Sequence, residues 1–234
     1  MVNVNICENV ERIRGLIAES AKKSGRKKEE IQLIAVTKNH KVEEMVKAIQ
    51  EAGVTNIGEN RVQEAQTKWA SWPENVNAEW HLIGHLQRNK ARKALEFFNV
   101  IQSLDSIALA ERLERICVEM KRTVRVLLEV NTSGESAKHG VAPDDVYSLF
   151  DYVMGECPSL TVQGLMTVGP LTEEESEVRE AFALLRSLKE NLSSSRDVSL
   201  PELSMGMSGD FQWAIEEGST MVRIGTAIFG PRSY

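Results

Sequence analysis

A lysine stands just beyond a strand-like run near the start of the chain. Residues 33–36 are apolar and partly β-branched, as in a buried strand, and Lys38 follows two residues later. At the mouth of a parallel sheet an ammonium group can be partly desolvated, which lowers its pKa and frees the amine to condense with an aldehyde. Because most lysines at strand ends are solvated surface charges, Lys38 alone is weak evidence.

The C-terminal region carries glycines and hydroxyls in a pattern that suits a phosphate group. The predicted seventh strand runs into residues 206–209, which include Ser208, and the eighth strand runs through Arg223 into Gly225 and Thr226. Glycines allow backbone N–H groups to approach an anion, and a helix predicted to begin at Ser208 would point its positive end there. The structural alternative is that Ser208 is only a helix cap and Gly225 only a turn residue.

Eight strand candidates alternate with helical patterns, and no hairpin signal joins them. The candidates are residues 33–36, 54–57, 80–83, 100–104, 124–130, 162–168, 203–207 and 221–224, after a leading helix over 5–23. Eight such units in 234 residues favour a closed barrel, and no Gly-x-Gly-x-x-Gly supports a dinucleotide-binding sheet. We therefore predict an α/β fold, a single (β/α)8 TIM-type barrel with an extra N-terminal helix, as one domain over 1–234.

Composition and motif spacing argue against a nucleic-acid-binding, membrane-spanning or metal-binding protein. The net charge of -6 argues against nucleic-acid binding, and the odd number of three isolated cysteines suits a reducing compartment. Neither a signal peptide nor a long apolar span is found, so we expect a cytoplasmic protein without a membrane segment. His81 and His85 have i, i+4 spacing, but they flank a strand end without an evident third ligand, so no metal site is predicted.

Closure of the barrel would bring the two chemical features together. The first and eighth strands are neighbours in a closed barrel, so one aldehyde-bearing phosphate ester could reach both Lys38 and the predicted phosphate cradle. Pyridoxal 5′-phosphate (PLP) is such a molecule. Strand alternation puts Arg223 on the same face as Gly225, where it could lie beside the pyridine nitrogen.

Several longer motifs are also recognisable: Ser-Met-Gly-Met-Ser-Gly-Asp at 204–210, the run 214–230, Ala-Val-Thr-Lys at 35–38, Gly-Glu-Asn at 58–60 and Trp-His-Leu-Ile-Gly at 80–84. In these motifs the sequence closely resembles the pyridoxal phosphate homeostasis protein family, single barrels similar to the N-terminal domain of alanine racemase. It implies Lys38 as the Schiff-base lysine and Arg223 opposite the ring nitrogen. It further implies Ser208, Gly225 and Thr226 around the phosphate, with Asn60 and Met205 lining the cofactor pocket.

The expected role is to hold and deliver PLP to apo-enzymes, as a monomer and without robust catalysis. A protonated Arg223 leaves the pyridine nitrogen unprotonated, which makes the ring a poor electron sink. Racemisation also needs a second acid/base, which similar racemases take as a tyrosine from a further domain that we expect to be missing here. Tyr147, Tyr152 and Tyr234 fall outside the strand-end motifs. The alternatives are a weak PLP-dependent racemase and a Schiff-base aldolase acting on a sugar phosphate.

Overall fold

The eight strands form one closed parallel barrel in chain order, β1 to β8. The structure, a computed structural model, describes residues 5–230. The strands are β1 Gln32–Val36, β2 Asn56–Glu59, β3 Glu79–Leu82, β4 Val100–Leu104, β5 Val124–Glu129, β6 Leu160–Met166, β7 Glu202–Ser204 and β8 Met221–Ile224. The helices are α1 Ile6–Lys23, α2 Val42–Gln50, α3 Val62–Ala70, α4 Ala91–Phe97, α5 Ile107–Met120, α6 Val146–Glu156, α7 Glu175–Arg196, α8 Phe211–Glu216 and α9 Thr226–Phe229.

The barrel closes by pairing of β1 with β8. Ile34 is in register with Arg223, and Ala35 is in register with Ile224. This pairing confirms the predicted neighbourhood of the first and last strands. The two backbones stay close beyond the paired residues, since a Cβ atom on Gly225 would lie 3.3 Å from the carbonyl oxygen of Val36. The segment carrying Lys38 and the segment after β8 therefore meet at one edge of the mouth.

The hydrophobic core is mostly a shell between the strands and the surrounding helices. Outward-facing side chains such as Ile57, Val126 and Ile224 pack there, as alternation along a strand requires. A small cluster of Ile34, Leu127, Met166 and Met221 fills part of the barrel interior. Several buried polar side chains also lie inside the barrel, among them His81, Gln102, Ser204 and Arg223.

The N-terminal helix begins where the sequence predicts. The side chain of Asn5 accepts a hydrogen bond from the Glu8 N–H group and caps α1. The buried face of α1, which includes Val10 and Ile13, packs against α8 and α9. The added helix thus braces the part of the chain that precedes and follows β8.

One local prediction was wrong. The predicted seventh strand and its helix meet at Ser208, but β7 ends at Ser204 and α8 begins at Phe211. Gly206 adopts a φ of 94°, which turns the chain sharply, and Ser208 lies in the turn that follows. The N-terminus of α8 is therefore not centred on Ser208.

Two predictions concern the whole chain. The predicted domain over 1–234 includes residues 1–4 and 231–234, which lie outside the described residues, and so does Tyr234. No helix within residues 5–230 is both long and apolar enough to cross a bilayer.

Candidate functional site

A cavity of about 410 Å³ opens at the carboxyl ends of β1, β2, β3, β6, β7 and β8. This is the end of the barrel at which enzymes and binders of this architecture place their sites. Its lining includes six of the seven residues predicted as cofactor ligands: Lys38, Asn60, Ser208, Arg223, Gly225 and Thr226. Residues separated by almost the whole length of the chain are therefore collected around one space.

Lys38 stands in a tight turn directly after β1. The turn is closed by a hydrogen bond from the His40 N–H group to the Thr37 carbonyl oxygen, at 3.0 Å. Asn39 takes a left-handed conformation with φ of 65°, which asparagine tolerates better than most residues. Lys38 is half-buried on the cavity wall. Its amine is thus presented at the mouth by a defined backbone rather than by a loose loop.

Ser208, Gly225 and Thr226 form the part of the cavity wall suited to an oxyanion. Ser208 and Thr226 supply hydroxyl groups, and Thr226 is the first residue of α9. The first N–H groups of a helix have no partner within it and are therefore free to face an anion. Gly225 is held close to Val36, where a side chain would crowd the neighbouring backbone.

Arg223 projects from β8 into the barrel interior and is 4% exposed. Its Nη1 donates to Ser204 Oγ at 2.6 Å, and its Nη2 donates to the Thr167 carbonyl oxygen at 2.7 Å. Burial lowers the pKa of Arg223 to about 10, although the carboxylates of Asp210 and Glu129 oppose the shift. Since this value is still far above neutral, the guanidinium remains charged at physiological pH.

A directed hydrogen-bond chain continues from Arg223 through the barrel. Ser204 donates to Gln102 Oε1 at 2.6 Å, and Gln102 Nε2 donates to His81 Nδ1 at 3.0 Å. His81 must therefore carry its proton on Nε2, which lies 3.3 Å from Glu79 Oε2. Burial lowers the pKa of His81, which agrees with a neutral ring. Sequence reasoning missed this chain, because each member reads separately as an ordinary polar residue.

Asn60 brings a buried acceptor to the cavity. Among the described residues its Oδ1 atom has no hydrogen-bond partner, although it is shielded from solvent. A buried amide oxygen without a partner is costly, so a ligand or an ordered water is expected to supply a donor. The backbone of Asn60 is fixed by Gly84, where a Cβ atom would lie only 2.4 Å from the Asn60 carbonyl oxygen.

Met205 is not among the residues that line the cavity. Its side chain is fully buried in the shell between strands and helices, one position out of phase with the inward-facing Ser204. Met207, which is 39% exposed, lines the cavity instead. His40, which sequence reasoning did not single out, also lines the cavity. Its ring stacks on Phe229, with the ring centroids 4.7 Å apart.

The two histidines with i, i+4 spacing do not converge. His81 is buried, whereas His85 is exposed and lies with Asp105 and His139, each offering one ligand atom within 4.8 Å of the others. The rings of His85 and His139 are stacked, with centroids 3.9 Å apart and an interplanar angle of 9°. In-plane lone pairs of parallel rings do not point at a common ion, so this arrangement is not a preformed metal site. The absence of a metal stays a prediction.

Glu129 is a buried acid near the mouth. It ends β5, is 6% exposed, and its Oε2 atom has no hydrogen-bond partner among the described residues. Burial raises its pKa to about 7, with a contribution from Asp105 that Arg223 opposes. Glu129 therefore changes charge near neutral pH.

Comparison with known proteins identifies the family of this chain. The family described as "Alanine racemase, N-terminal domain" matches residues 9–233. The chain is 39% identical to the pyridoxal phosphate homeostasis protein of Aquifex aeolicus over 231 residues, which is 99% of this chain and 100% of that protein.

Solved structures agree with this assignment. The structure of PipY from Synechococcus elongatus PCC7942 with PLP bound is 39% identical, with a TM-score of 0.80 over 92% of this chain and 100% of PipY. Alanine racemase from Corynebacterium glutamicum shares the fold at a TM-score of 0.74 and 19% identity, covering 97% of this chain but 62% of the racemase. The chain belongs to the alanine racemase N-terminal domain family and, within it, to the pyridoxal phosphate homeostasis proteins.

Proposed function

We propose that this protein binds PLP through a Schiff base to Lys38 and holds the cofactor for delivery to apo-enzymes. One observation carries the proposal: Lys38 lines the same cavity as Ser208, Gly225 and Thr226, the residues after β7 and β8 that suit a phosphate. In the covalent step the Lys38 amine adds to the aldehyde carbon, and the carbonyl oxygen leaves as water. The family membership and the PLP-bound structure of PipY support the same ligand.

The residues present suit the parts of such a ligand. Ser208, Gly225 and Thr226 are assigned to the phosphate, because they combine two hydroxyl donors with a glycine whose backbone carries no side chain. The charged Arg223 is assigned to the pyridine nitrogen, and Asn60 contributes a buried acceptor that has no partner within residues 5–230. Met205 is not assigned to the pocket, because its side chain packs in the outer core.

The arrangement of the chain's own groups favours a carrier over a catalyst. Bound PLP would be a strong electron sink if its ring nitrogen were protonated, and a weak one otherwise. A charged Arg223 can donate a hydrogen bond to the ring nitrogen but cannot accept one from a protonated nitrogen, and it keeps its own proton. Tyr147 and Tyr152 lie in the outer helix α6, where the Tyr152 hydroxyl donates to Glu111 at 2.9 Å. Neither can act as an acid/base at the mouth. We further propose that the protein is a cytoplasmic monomer and that residues 1–234 form its single domain.

The proposal is tested by an absorbance spectrum of the purified protein, before and after borohydride, followed by peptide mass mapping. The expected result is a yellow complex whose reduced cofactor is found on Lys38. Lys38→Ala should abolish the coloured complex, while Lys41→Ala, which removes an exposed lysine three residues away, should keep it.

Two outcomes would contradict the proposal. A colourless protein that also refuses added PLP would remove its basis and favour an aldolase that binds a sugar phosphate. Sustained racemisation or transamination of added amino acids, lost in Lys38→Ala, would establish an enzyme instead of a carrier.

A further inference from the structure

A buried ammonium ion lies directly beneath the turn that presents Lys38. Lys68, on α3, is 7% exposed and donates to three acceptors: the Thr37 carbonyl oxygen at 2.7 Å, Glu59 Oε1 at 2.6 Å and Glu64 Oε1 at 2.7 Å. Three donors meet three acceptors, so the hydrogen-bonding capacity of the ammonium group is filled. This lysine is therefore held in place and is unavailable as a nucleophile.

Both neighbours of Lys38 are tied to this ion or to its counterions. Thr37 is held twice, through its carbonyl oxygen by Lys68 and through its hydroxyl, which donates to Glu59 Oε1 at 2.6 Å. On the other side, the Asn39 N–H group donates to the Glu64 Oε1 atom that Lys68 also contacts. The backbone on either side of Lys38 is thus fixed by one shared cluster.

The cluster has few ways to relax. Glu59 is fully buried, and burial raises its pKa, while Lys68 and Thr37 counteract that shift. Burial also acts on Glu64, but the hydrogen bonds from Lys68 and Asn39 bring its pKa below the usual value. Without Lys68 the two carboxylates would face each other in a partly dry space. Their separation would move the backbone groups that they hold.

Resting on the proposed function, we propose that Lys68 is a positioning residue, which fixes the turn 37–40 so that the Lys38 amine meets the cofactor aldehyde. It acts through Thr37 and Asn39 and does not touch the ligand. A misplacement of about 1 Å at a reacting group can cost on the order of 100-fold in rate. We expect Lys68→Met to slow formation of the Lys38 imine by about 10- to 100-fold.

The decisive measurement compares two ligands of the full-length protein. PLP can form the imine, whereas pyridoxine 5′-phosphate carries an alcohol in place of the aldehyde and can make only the non-covalent contacts. Lys68→Met should slow imine formation with PLP and leave the affinity for pyridoxine 5′-phosphate within about 2-fold, because Lys68 contacts the turn 37–40 and not the cavity. Loss of both in parallel, in a variant that has folded, would mean a merely structural role and would overturn the inference.

Further variants keep the inference testable if Lys68→Met does not fold. Glu64→Ala removes the acceptor of the Asn39 N–H group at a partly exposed position and should slow imine formation in the same selective way. Lys68→Arg retains the charge and should recover part of the rate. Lys93→Met, on the exposed face of α4, is the matched control and should equal the wild type. Unchanged imine kinetics in both Lys68→Met and Glu64→Ala would refute the assignment of Lys68.

Failure of the proposed function would look different. If the wild-type protein itself forms no borohydride-reducible adduct on Lys38, the proposed function fails and the role of Lys68 falls with it. If the wild type forms the adduct at the same rate as the two variants, only the role of Lys68 fails.

Discussion

Replacing Gln102 by leucine should destabilise the protein strongly although the two side chains are similar in size. Gln102 is fully buried and is the central member of the chain that runs from Arg223 to His81. The substitution removes the acceptor of the Ser204 hydroxyl and the donor to His81 Nδ1. Each buried polar group left without its partner costs about 1–3 kcal/mol. Allowing for the gain from burying an apolar side chain, we expect a loss of about 2–5 kcal/mol in the free energy of unfolding.

The assay is urea unfolding followed by circular dichroism, with the midpoint and the slope fitted separately. A lower midpoint at an unchanged slope identifies a loss of stability rather than a change in the unfolded state. For a protein of this size the loss corresponds to a decrease of about 4–20 °C in Tm. Gln63→Leu, at an exposed position on α3, is the matched control and should stay within about 0.5 kcal/mol of the wild type.

A second substitution at the same position tests the donor and acceptor roles in this chain of hydrogen bonds. Gln102→Glu keeps an acceptor for Ser204 but loses the donor to His81, unless the ring takes up a second proton. The resulting defect should therefore shrink as the pH is lowered. The reasoning is refuted if Gln102→Leu is as stable as Gln63→Leu, or if the defect of Gln102→Glu does not depend on pH.

Two further predictions concern the mouth of the barrel. Gly84→Ala places a Cβ atom against the Asn60 backbone, so it should lower the free energy of unfolding by about 1–3 kcal/mol and weaken PLP binding. Urea unfolding measures the first effect and titration with PLP the second. Gly155→Ala on α6, where the added atom meets nothing within 4 Å, is the control and should change neither. Burial raises the pKa of Glu129 from 4.5 to about 7, so the folded protein holds this proton more tightly and loses roughly 3 kcal/mol of stability as the pH rises from about 4.5 to above 7. Glu129→Gln should flatten that part of the pH–stability curve, and a curve that keeps its wild-type slope would contradict the assignment.

The location of the candidate residues at strand ends could be predicted where a single segment carried the signal. The glycines and hydroxyls of 225–226 and the lysine after a short apolar run are local features, and β8 with its following turn lies where the sequence put it. The end of β7 was predicted wrongly, because the φ of 94° at Gly206 ends the strand early and leaves Ser208 in a turn. Alternation from the inward-facing Ser204 places the Met205 side chain in the outer core.

Sequence patterns were enough to predict the architecture and to place the candidate cofactor ligands at strand ends. Alternating apolar runs and helical stripes are properties of neighbouring residues, and hydrophobic burial then allows few arrangements other than a closed barrel. The groups that hold those ligands in place were decided only by the tertiary structure. Gln102 and Ser204 are 102 residues apart in the chain, and Lys68 meets Thr37 across 31 residues. Such polar pairs have no periodicity, and their energy arises only when closure of the barrel removes them from water and leaves each other as partners.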